Sequence, residues 1–333
     1  MKKILYVGYE KEPNIYNSIS FSYKAWYESF KALNYEVKGL FTDSKNFQKD
    51  YNKYFDDALN GFKPEMVFII INKNYLSIDF LNLFKYRNIK LVGFSGDDNW
   101  NFSSFRDLFQ HFDSIVTTDN LSIRKYNRLG IKNVVLSQWG TFIKNDHIDV
   151  EKYEFEISFV GGYSAYREWF INQIRKKTGI TVNKFGYGWK GRPPISYDEM
   201  KKIFSSSKIN LNISNSYSYD YRFRTSSAKN FFKTFLNKHK QSEQIKARNF
   251  EIPACGGFQL TNYVPFLEGY FEIGEEIVCY DGVDNAINLI EYYLHNEDIR
   301  EKIRQKSHKK SIKNYTFNSI LENIIKQLSL DGS

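Results

Sequence analysis

The sequence predicts an α/β protein made of two doubly wound parallel-sheet domains. The chain has 333 residues, which is long for a single hydrophobic core, so two domains are expected. Apolar runs of strand length alternate with segments of helical periodicity, as they do in βα units. A short polar stretch, residues 144–152, divides this alternation into two series and is the predicted linker.

The first series, residues 1–145, opens with the apolar strand Lys3 to Gly8. Its first eight residues superficially resemble a signal peptide, but the charged residues of Tyr9-Glu10-Lys11-Glu12 interrupt the apolar run. The run at 64–71 is apolar throughout, which is typical of a strand buried on both faces of a parallel sheet. The other predicted strands are 35–40, 90–94, 114–118 and 133–136, with helices at 19–34, 46–60, 78–86, 102–112 and 121–129.

The second series, residues 153–312, repeats the pattern. A strand at 155–160 ends in a Gly-Gly turn and leads into a helix at 165–178. The remaining predicted strands are 181–185, 208–213, 258–261 and 276–280, with helices at 197–204, 228–240 and 283–295, one before the 258–261 strand and two more after residue 295.

Composition narrows the function classes. The net charge of +9 suits nucleic acid, an anionic membrane surface or a polyanionic substrate. Because acidic residues are mixed throughout, a solvated lysine-rich surface is favoured, except for a lysine cluster that could rest on anionic lipid: Lys302, Lys306, Lys309, Lys310 and Lys313. The two cysteines match no zinc spacing and indicate a reduced cytosolic protein, and no apolar run reaches the ~18 residues of a membrane helix.

The segment from Lys246 to Thr261 is the most informative. The cations Lys246 and Arg248 precede the carboxylate Glu251, then a glycine pair and an apolar strand. Cations suit a diphosphate, a fixed carboxylate can accept both hydroxyls of a ribose, and Gly256 and Gly257 would let backbone N–H groups approach a phosphate. The alternative is an ordinary helix end with a glycine cap leading into a buried strand.

Residues 250–261, Phe-Glu-Ile-Pro-Ala-Cys-Gly-Gly-Phe-Gln-Leu-Thr, and the following 275–280 resemble the C-terminal half of the CgeB-like glycosyltransferases, which belong to the GT-B superfamily. The similarity continues through 292–296, Arg300 and 314–317, and a second similar stretch runs from 96–100 to 138–140. It covers most of residues 91–320; the first 60 residues match only in pattern. The resemblance implies two Rossmann-like domains facing a cleft: an acceptor domain at 1–145 and a nucleotide-sugar domain at 153–312. It also implies a C-terminal helix, 313–333, that crosses back to the first domain.

Two glutamates stand eight residues apart, as in the Glu-x7-Glu pattern of retaining GT-B enzymes. By that resemblance Glu251 binds the ribose, and Glu243 acts near the donor sugar or phosphate. The spacing alone is weak, because Glu28/Glu36 and Glu268/Glu276 repeat it, and the alternative for Glu243 is an exposed helix surface.

Further cations and glycines are candidates for the diphosphate. A leaving nucleoside diphosphate gains negative charge, which a preorganised cation stabilises most in the transition state. Lys246 and Arg248 lie two apart on one helix and cannot both face a site, and the resemblance favours Arg248. Arg222 and Arg224 follow a tyrosine-rich stretch that is either a donor-side loop or a surface insert.

Two loops in the second series complete the predicted donor site. Gly161, Gly162 and Arg167 stand between a strand and a helix, where backbone amides and a cation bind a diphosphate in GT-B enzymes. Tyr187, in the Gly-Tyr-Gly-Trp loop at 186–189, could stack on a base or sugar or merely cover a domain edge.

Asp97 and Asp98 follow the strand at 90–94. They could supply a general base, an acceptor-hydroxyl clamp or a metal site, or cap the next helix. No metal is expected, since GT-B enzymes do not need one, and none of the five histidines pairs at zinc spacing. The first 110 residues lack the histidine base of many inverting enzymes, so the paired glutamates favour retention.

The expected function is transfer of a hexose-like sugar from a UDP- or GDP-sugar to a hydroxyl of a glycan, lipid-linked glycan or protein, without a further cofactor. The alternatives are a nucleotide-sugar epimerase or a phosphorylase on the same fold, and a non-catalytic glycan-binding or coat-assembly protein. A nucleic-acid partner rests on charge alone. The expected location is the cytoplasm, with peripheral contact at the inner face of the membrane.

Overall fold

The computed structural model describes residues 2–12, 19–45, 47, 50–143, 152–191, 193, 195–213, 220–236 and 243–330. The chain divides into two compact units. Unit 1 comprises Met1–Gly140 together with Phe317–Ser333, and unit 2 comprises Thr141–Thr316. Most of the predicted linker, 144–151, lies outside the described residues.

Unit 1 contains a six-stranded sheet, entirely parallel, in the order β2-β1-β3-β4-β5-β6. The four central strands are buried along most of their length, as expected for a sheet covered on both faces, whereas the edge strand Glu36–Phe41 is mostly half-buried. Their bounds are β1 Lys3–Gly8, β2 Glu36–Phe41, β3 Met66–Ile70, β4 Lys90–Ser95, β5 Ser114–Thr117 and β6 Val134–Leu136.

Helices cover both faces of this sheet. A π-helical turn, Tyr23–Tyr27, runs into the first helix. The helices are α1 Glu28–Ala32, α2 Tyr51–Leu59, α3 Ile78–Lys85, α4 Asp98–Phe109 and α5 Asn120–Arg128, and α13 Phe317–Leu330 returns from the end of the chain. Phe317 of α13 packs edge-to-face on the buried Trp26, with ring centroids 5.4 Å apart. The last helix is therefore part of the core of unit 1.

Unit 2 contains a five-stranded parallel sheet in the order β11-β10-β9-β7-β8. The bounds are β7 Phe155–Val160, β8 Val182–Phe185, β9 Ser207–Asn212, β10 Gln259–Asn262 and β11 Val278–Tyr280. Its helices are α6 Ala165–Thr178, α7 Tyr197–Ser205, α8 Tyr221–Thr225, α9 Ala228–Leu236, α10 Arg248–Ala254, α11 Val283–His295 and α12 Glu297–Asn314.

Side-chain caps explain where several helices begin. Ser77 and Ser164 accept backbone N–H bonds of 3.1 and 3.2 Å from Phe80 and Arg167. Ser196 and Glu199 form a reciprocal capping box at the start of α7. Each cap satisfies donors that a helix leaves unpaired in its first turn.

Unit 2 begins and ends at neighbouring points. Thr141 and Thr316 form a parallel bridge, and the Thr141 backbone N–H donates to the Tyr315 carbonyl at 2.8 Å. The predicted α/β class with two parallel sheets is confirmed.

Candidate functional site

The carboxyl ends of the strands in unit 2 bring several predicted residues together. β7 is followed by Gly161 and Gly162, β9 by Ile213, and β10 ends at Asn262. Because these strands are parallel, their carboxyl ends lie on the same side of the sheet, where α/β folds bind ligands.

Arg167 joins two of these strand ends. Its Nη1 donates to the Gly162 carbonyl at 2.7 Å and its Nε donates to the Ile213 carbonyl at 3.0 Å. The guanidinium carbon also lies 5.2 Å from the centre of the Phe159 ring. The side chain therefore holds a positive charge beside the glycine turn after β7.

Arg248 and Glu251 form an ion pair across the first turn of α10. Glu251 is only 1% exposed, so the pair neutralises a carboxylate that would be costly to bury alone. The Arg248 Nε also lies 3.4 Å from the Val160 carbonyl at the end of β7. The sequence motif thus places its cation and carboxylate near the glycine turn.

Two contacts fix the start of α10 against β10. The Gln259 side chain donates to the Arg248 carbonyl at 2.9 Å, and the Asn249 amide lies 3.4 Å from the Thr261 hydroxyl. Sequence reasoning did not single out Gln259 or Asn249, although both are polar residues within the buried motif.

Glu243 lies at the carboxyl end of β10. Its Oε2 accepts from the Asn262 side-chain amide at 3.3 Å. The pKa of the Tyr166 hydroxyl is raised mainly by burial and further by the negative charges of Asp220 and Glu243. Lys246 stands between Glu243 and α10, and its backbone N–H donates to the Asn249 side chain at 3.0 Å. The structure therefore brings Glu243, Arg167, Arg248 and Glu251 to one side of the sheet.

Gly256 and Gly257 lie at the opposite edge of the sheet, where the strands of unit 2 begin. They precede β10, so they stand at its amino end, whereas Gly161 and Gly162 follow the carboxyl end of β7. Gly256 has φ +70°, and a Cβ on Gly257 would meet the Phe204 carbonyl at 2.8 Å and the Asn210 amide at 2.6 Å. Turn geometry and close packing explain this pair, and the parallel topology separates it from the other predicted phosphate-binding residues.

Tyr187 lies on a loop bound to the glycine turn. The Tyr163 N–H donates to the Tyr187 carbonyl at 2.8 Å, and the Trp189 indole donates to the Gly161 carbonyl at 2.8 Å. The Tyr187 side chain is 79% exposed. It is therefore available for stacking and contributes little to packing.

The predicted arginines of α8 have structural contacts. Arg222 binds the carboxylates of Asp220 and Asp284, so it holds α8 to α11. Phe223 is buried against the rings of Tyr166 and Trp169. Arg224 is half-buried on the same short helix, and most of the tyrosine-rich stretch before it, residues 216–219, lies outside the described residues.

Asp98 in unit 1 is a core residue, 1% exposed. Its carboxylate accepts from the hydroxyls of Ser95, Thr117 and Tyr126, the last at 2.8 Å. Burial raises its pKa to about 6, although the three hydroxyl bonds oppose this shift. Asp97 is half-buried at the N-cap of α4, where its side chain makes no capping bond.

Two buried side chains that the sequence analysis did not single out contact backbone carbonyls of the segment Lys246–Thr261. Arg304 donates to the Gly256 carbonyl at 3.0 Å, and His308 Nδ1 lies 3.2 Å from the Pro253 carbonyl. Both belong to a polar stripe on α12 with helical spacing: Arg300, Arg304, Ser307, His308 and Ser311. The spacing of that stripe in the sequence is the signal that could have identified it.

The described part of the chain holds no group of three or more His, Cys, Asp or Glu side chains placed to bind a metal. Among the same residues, no helix combines the length and apolar character that crossing a bilayer requires. Lys306 and Lys310, in the predicted lipid-facing cluster, form ion pairs with Glu275 and Glu276.

Comparisons with known proteins concern the family and the fold. Residues 167–326 match the family model described as glycosyl transferase-like. No curated protein matches the chain significantly.

Solved structures match over the whole chain. Anabaena Alr3699/HepE in complex with UDP-glucose has a TM-score of 0.68 at 8% identity, covering 99% of this chain and 100% of that one. Sucrose-phosphate synthase from Thermosynechococcus elongatus has a TM-score of 0.60 at 9% identity, with 99% and 100% covered. AviGT4, a glycosyltransferase involved in avilamycin A biosynthesis, has a TM-score of 0.59 at 11% identity, with 100% and 99% covered. The chain therefore has the GT-B fold, and residues 167–326 are similar to glycosyl transferase-like proteins.

Proposed function

We propose that this protein is a glycosyltransferase that binds a nucleoside-diphosphate sugar at the carboxyl ends of the strands of unit 2. The observation that carries the proposal is the convergence of Arg167, Arg248 and Glu251 beside the turn Gly161-Gly162. The match of residues 167–326 to the glycosyl transferase-like family supports it.

The chemistry follows from these groups. Bond cleavage at the anomeric carbon leaves negative charge on the diphosphate, and preorganised cations stabilise that charge more in the transition state than in the ground state. Arg248 and Arg167 are the proposed cations, and the Gly162 backbone N–H is the proposed further donor, since the Gly161 N–H donates to the Phe185 carbonyl. Glu251 would accept the ribose hydroxyls, and Glu243 would act beside the donor sugar.

The finer assignments are also proposals. Because the structural neighbour HepE was crystallised with UDP-glucose, a UDP-hexose is the proposed donor ahead of a GDP-sugar. The proposal also includes retention of configuration at the anomeric carbon and a CgeB-like subtype. The acceptor hydroxyl would be bound by unit 1, with help from Asp97. Lys246, Arg224 and Tyr187 remain candidate donor contacts.

The test is thermal denaturation with a panel of UDP, GDP, ADP, CDP and dTDP. A ligand at one hundred times its Kd should stabilise the protein by about 2.7 kcal/mol. We expect UDP to raise the Tm of the wild type and of Glu291→Gln, an exposed-glutamate control, but not of Glu251→Gln. If no nucleotide shifts the Tm, donor binding is refuted and a glycan-binding role is favoured.

Turnover distinguishes the reaction types. A transferase releases UDP from UDP-glucose faster when acceptor glycans are added. An epimerase converts the nucleotide sugar without any acceptor, and that result would reject the proposed reaction while leaving the donor site intact.

A further inference from the structure

The segment that follows the buried Asp220 combines cations with several phenylalanines. From Tyr221 to Ser242 the sequence contains no acidic residue, and its six cations are Arg222, Arg224, Lys229, Lys233, Lys238 and Lys240. The stretches 120–145 and 302–321 also lack acidic residues, so the basic run matters here only in combination with the phenylalanines beside it. A basic run combined with large apolar residues is typical of a helix that lies on a membrane surface.

Within this segment, α9 exposes aromatic side chains. Phe232 is 64% exposed and Phe231 is 46% exposed. Their rings contact each other edge-to-face at 5.8 Å, so they form one apolar patch, and Lys229 beside them is exposed. A pair of exposed phenylalanines costs free energy in water, and burial at an apolar boundary would recover it.

The preceding helix mounts α9 on unit 2. Phe223 of α8 is 1% exposed and packs on Tyr166 and Trp169. Arg222 anchors the same helix to Asp220 and Asp284. Because α8 is fixed while α9 exposes its aromatic pair, the patch can contact another body without unfolding of the domain.

We propose that α9 docks this protein on an anionic lipid surface, with Phe231 and Phe232 entering the boundary between headgroups and acyl chains and Lys229 contacting acidic headgroups. Lipid is the partner that takes both features at once, since cations alone would suit nucleic acid but phenylalanines gain most from hydrocarbon. This surface differs from the lysine cluster on α12, where Lys306 and Lys310 are paired with Glu275 and Glu276. The proposal does not depend on the nature of the reaction.

The test is flotation of the full-length protein with vesicles of phosphatidylcholine, with or without about one third phosphatidylglycerol. We expect the protein to float with the anionic vesicles only. Phe231→Ser/Phe232→Ser should lower the partition coefficient more than tenfold, because the apolar contribution is lost. Lys229→Gln should lower it about fivefold, which corresponds to the loss of one cation near the surface.

Matched controls separate this patch from general charge. Lys302→Gln removes one exposed lysine from α12 and should leave the partition coefficient unchanged. Thermal denaturation of each variant would show that it is folded. The proposal is overturned if the wild type ignores both vesicle types, if the double phenylalanine variant floats as well as the wild type, or if Lys302→Gln has the larger effect. It is also overturned if double-stranded DNA, and not lipid, binds in a Phe231/Phe232-dependent way.

Discussion

The buried carboxyl group of Asp98 predicts an unusual dependence of stability on pH. Desolvation favours the neutral form of this group, whereas the hydroxyls of Ser95, Thr117 and Tyr126 favour the carboxylate. Desolvation is the larger effect, and the nearby charge of Asp119 acts in the same direction. The folded-state pKa is therefore about 6, against 3.8 for an ordinary aspartate.

The sign follows from linkage. Above pH 6 the group is ionised in both states, and the folded state bears the cost of a buried charge. As the pH falls through 6 the folded protein binds a proton before the unfolded chain does, so this group contributes stability that is complete below its unfolded pKa and lost as pH rises. The shift corresponds to about 3 kcal/mol.

Urea unfolding of the wild type and Asp98→Asn, followed by tryptophan fluorescence from about pH 7.5 down to about pH 4, measures this contribution. The neutral amide cannot ionise, so the difference between the two proteins isolates residue 98. We expect the wild type to gain about 2.5 kcal/mol relative to the variant over this range, slightly less than the full shift because pH 4 lies just above the unfolded pKa. A pH-independent difference, or a wild-type advantage that grows with rising pH, would mean that the three hydroxyls keep Asp98 ionised and would refute this reasoning.

Three further predictions concern unit 2. Gly257→Ala places a Cβ 2.8 Å from the Phe204 carbonyl, so we expect it to lower the free energy of unfolding by about 2 kcal/mol. The control is Gly269→Ala, whose Cβ meets no atom within 4 Å. Equal urea midpoints for both variants would contradict the packing argument. Arg304→Met leaves the Gly256 carbonyl and the Glu301 carboxylate without their guanidinium partner. It should lower the free energy of unfolding, measured in urea, by about 3 kcal/mol. The control Lys302→Met, on the exposed side of α12, should change that free energy by less than about 0.5 kcal/mol. Burial raises the pKa of the Cys255 and Cys279 thiols to about 12, so at pH 8 only about one part in 10⁴ of each thiol is thiolate. Both thiols of the native protein should therefore react with a disulfide reagent over a hundredfold more slowly than in urea-unfolded protein. Rapid reaction of the native protein would show that the thiols are accessible and ionisable.

The fold was predictable because strand signals here are strong. Runs such as Met66–Ile70 are apolar throughout and separated by helical segments, and this pattern leaves a parallel sheet as the simple solution. The same topology could have predicted the position of Gly256 and Gly257, since residues that precede a parallel strand lie at its amino end.

Burial and long-range contacts were the features that sequence patterns could not give. Asp97 and Asp98 look equivalent in the sequence, yet Asp98 alone lies in the core, because helix α4 starts with its side chain directed at Ser95 and Tyr126. Arg304 reaches a carbonyl 48 positions earlier in the chain, and no local pattern specifies that pairing. Arg248, Glu251 and Arg167 were predictable as candidates, but their shared location depends on strand order.

Unit 2, whose two ends meet at the bridge between Thr141 and Thr316, is an insertion within the sequence of unit 1. A ribosome would therefore complete the whole of unit 2 before it released α13, whose Phe317, Leu321 and Ile324 are buried in unit 1. The first domain to be synthesised is consequently the last to be finished. A stop codon after Thr316 would remove part of the N-terminal core and spare the uninterrupted segment Thr141–Thr316, so late truncations should damage the domain whose sequence begins the chain.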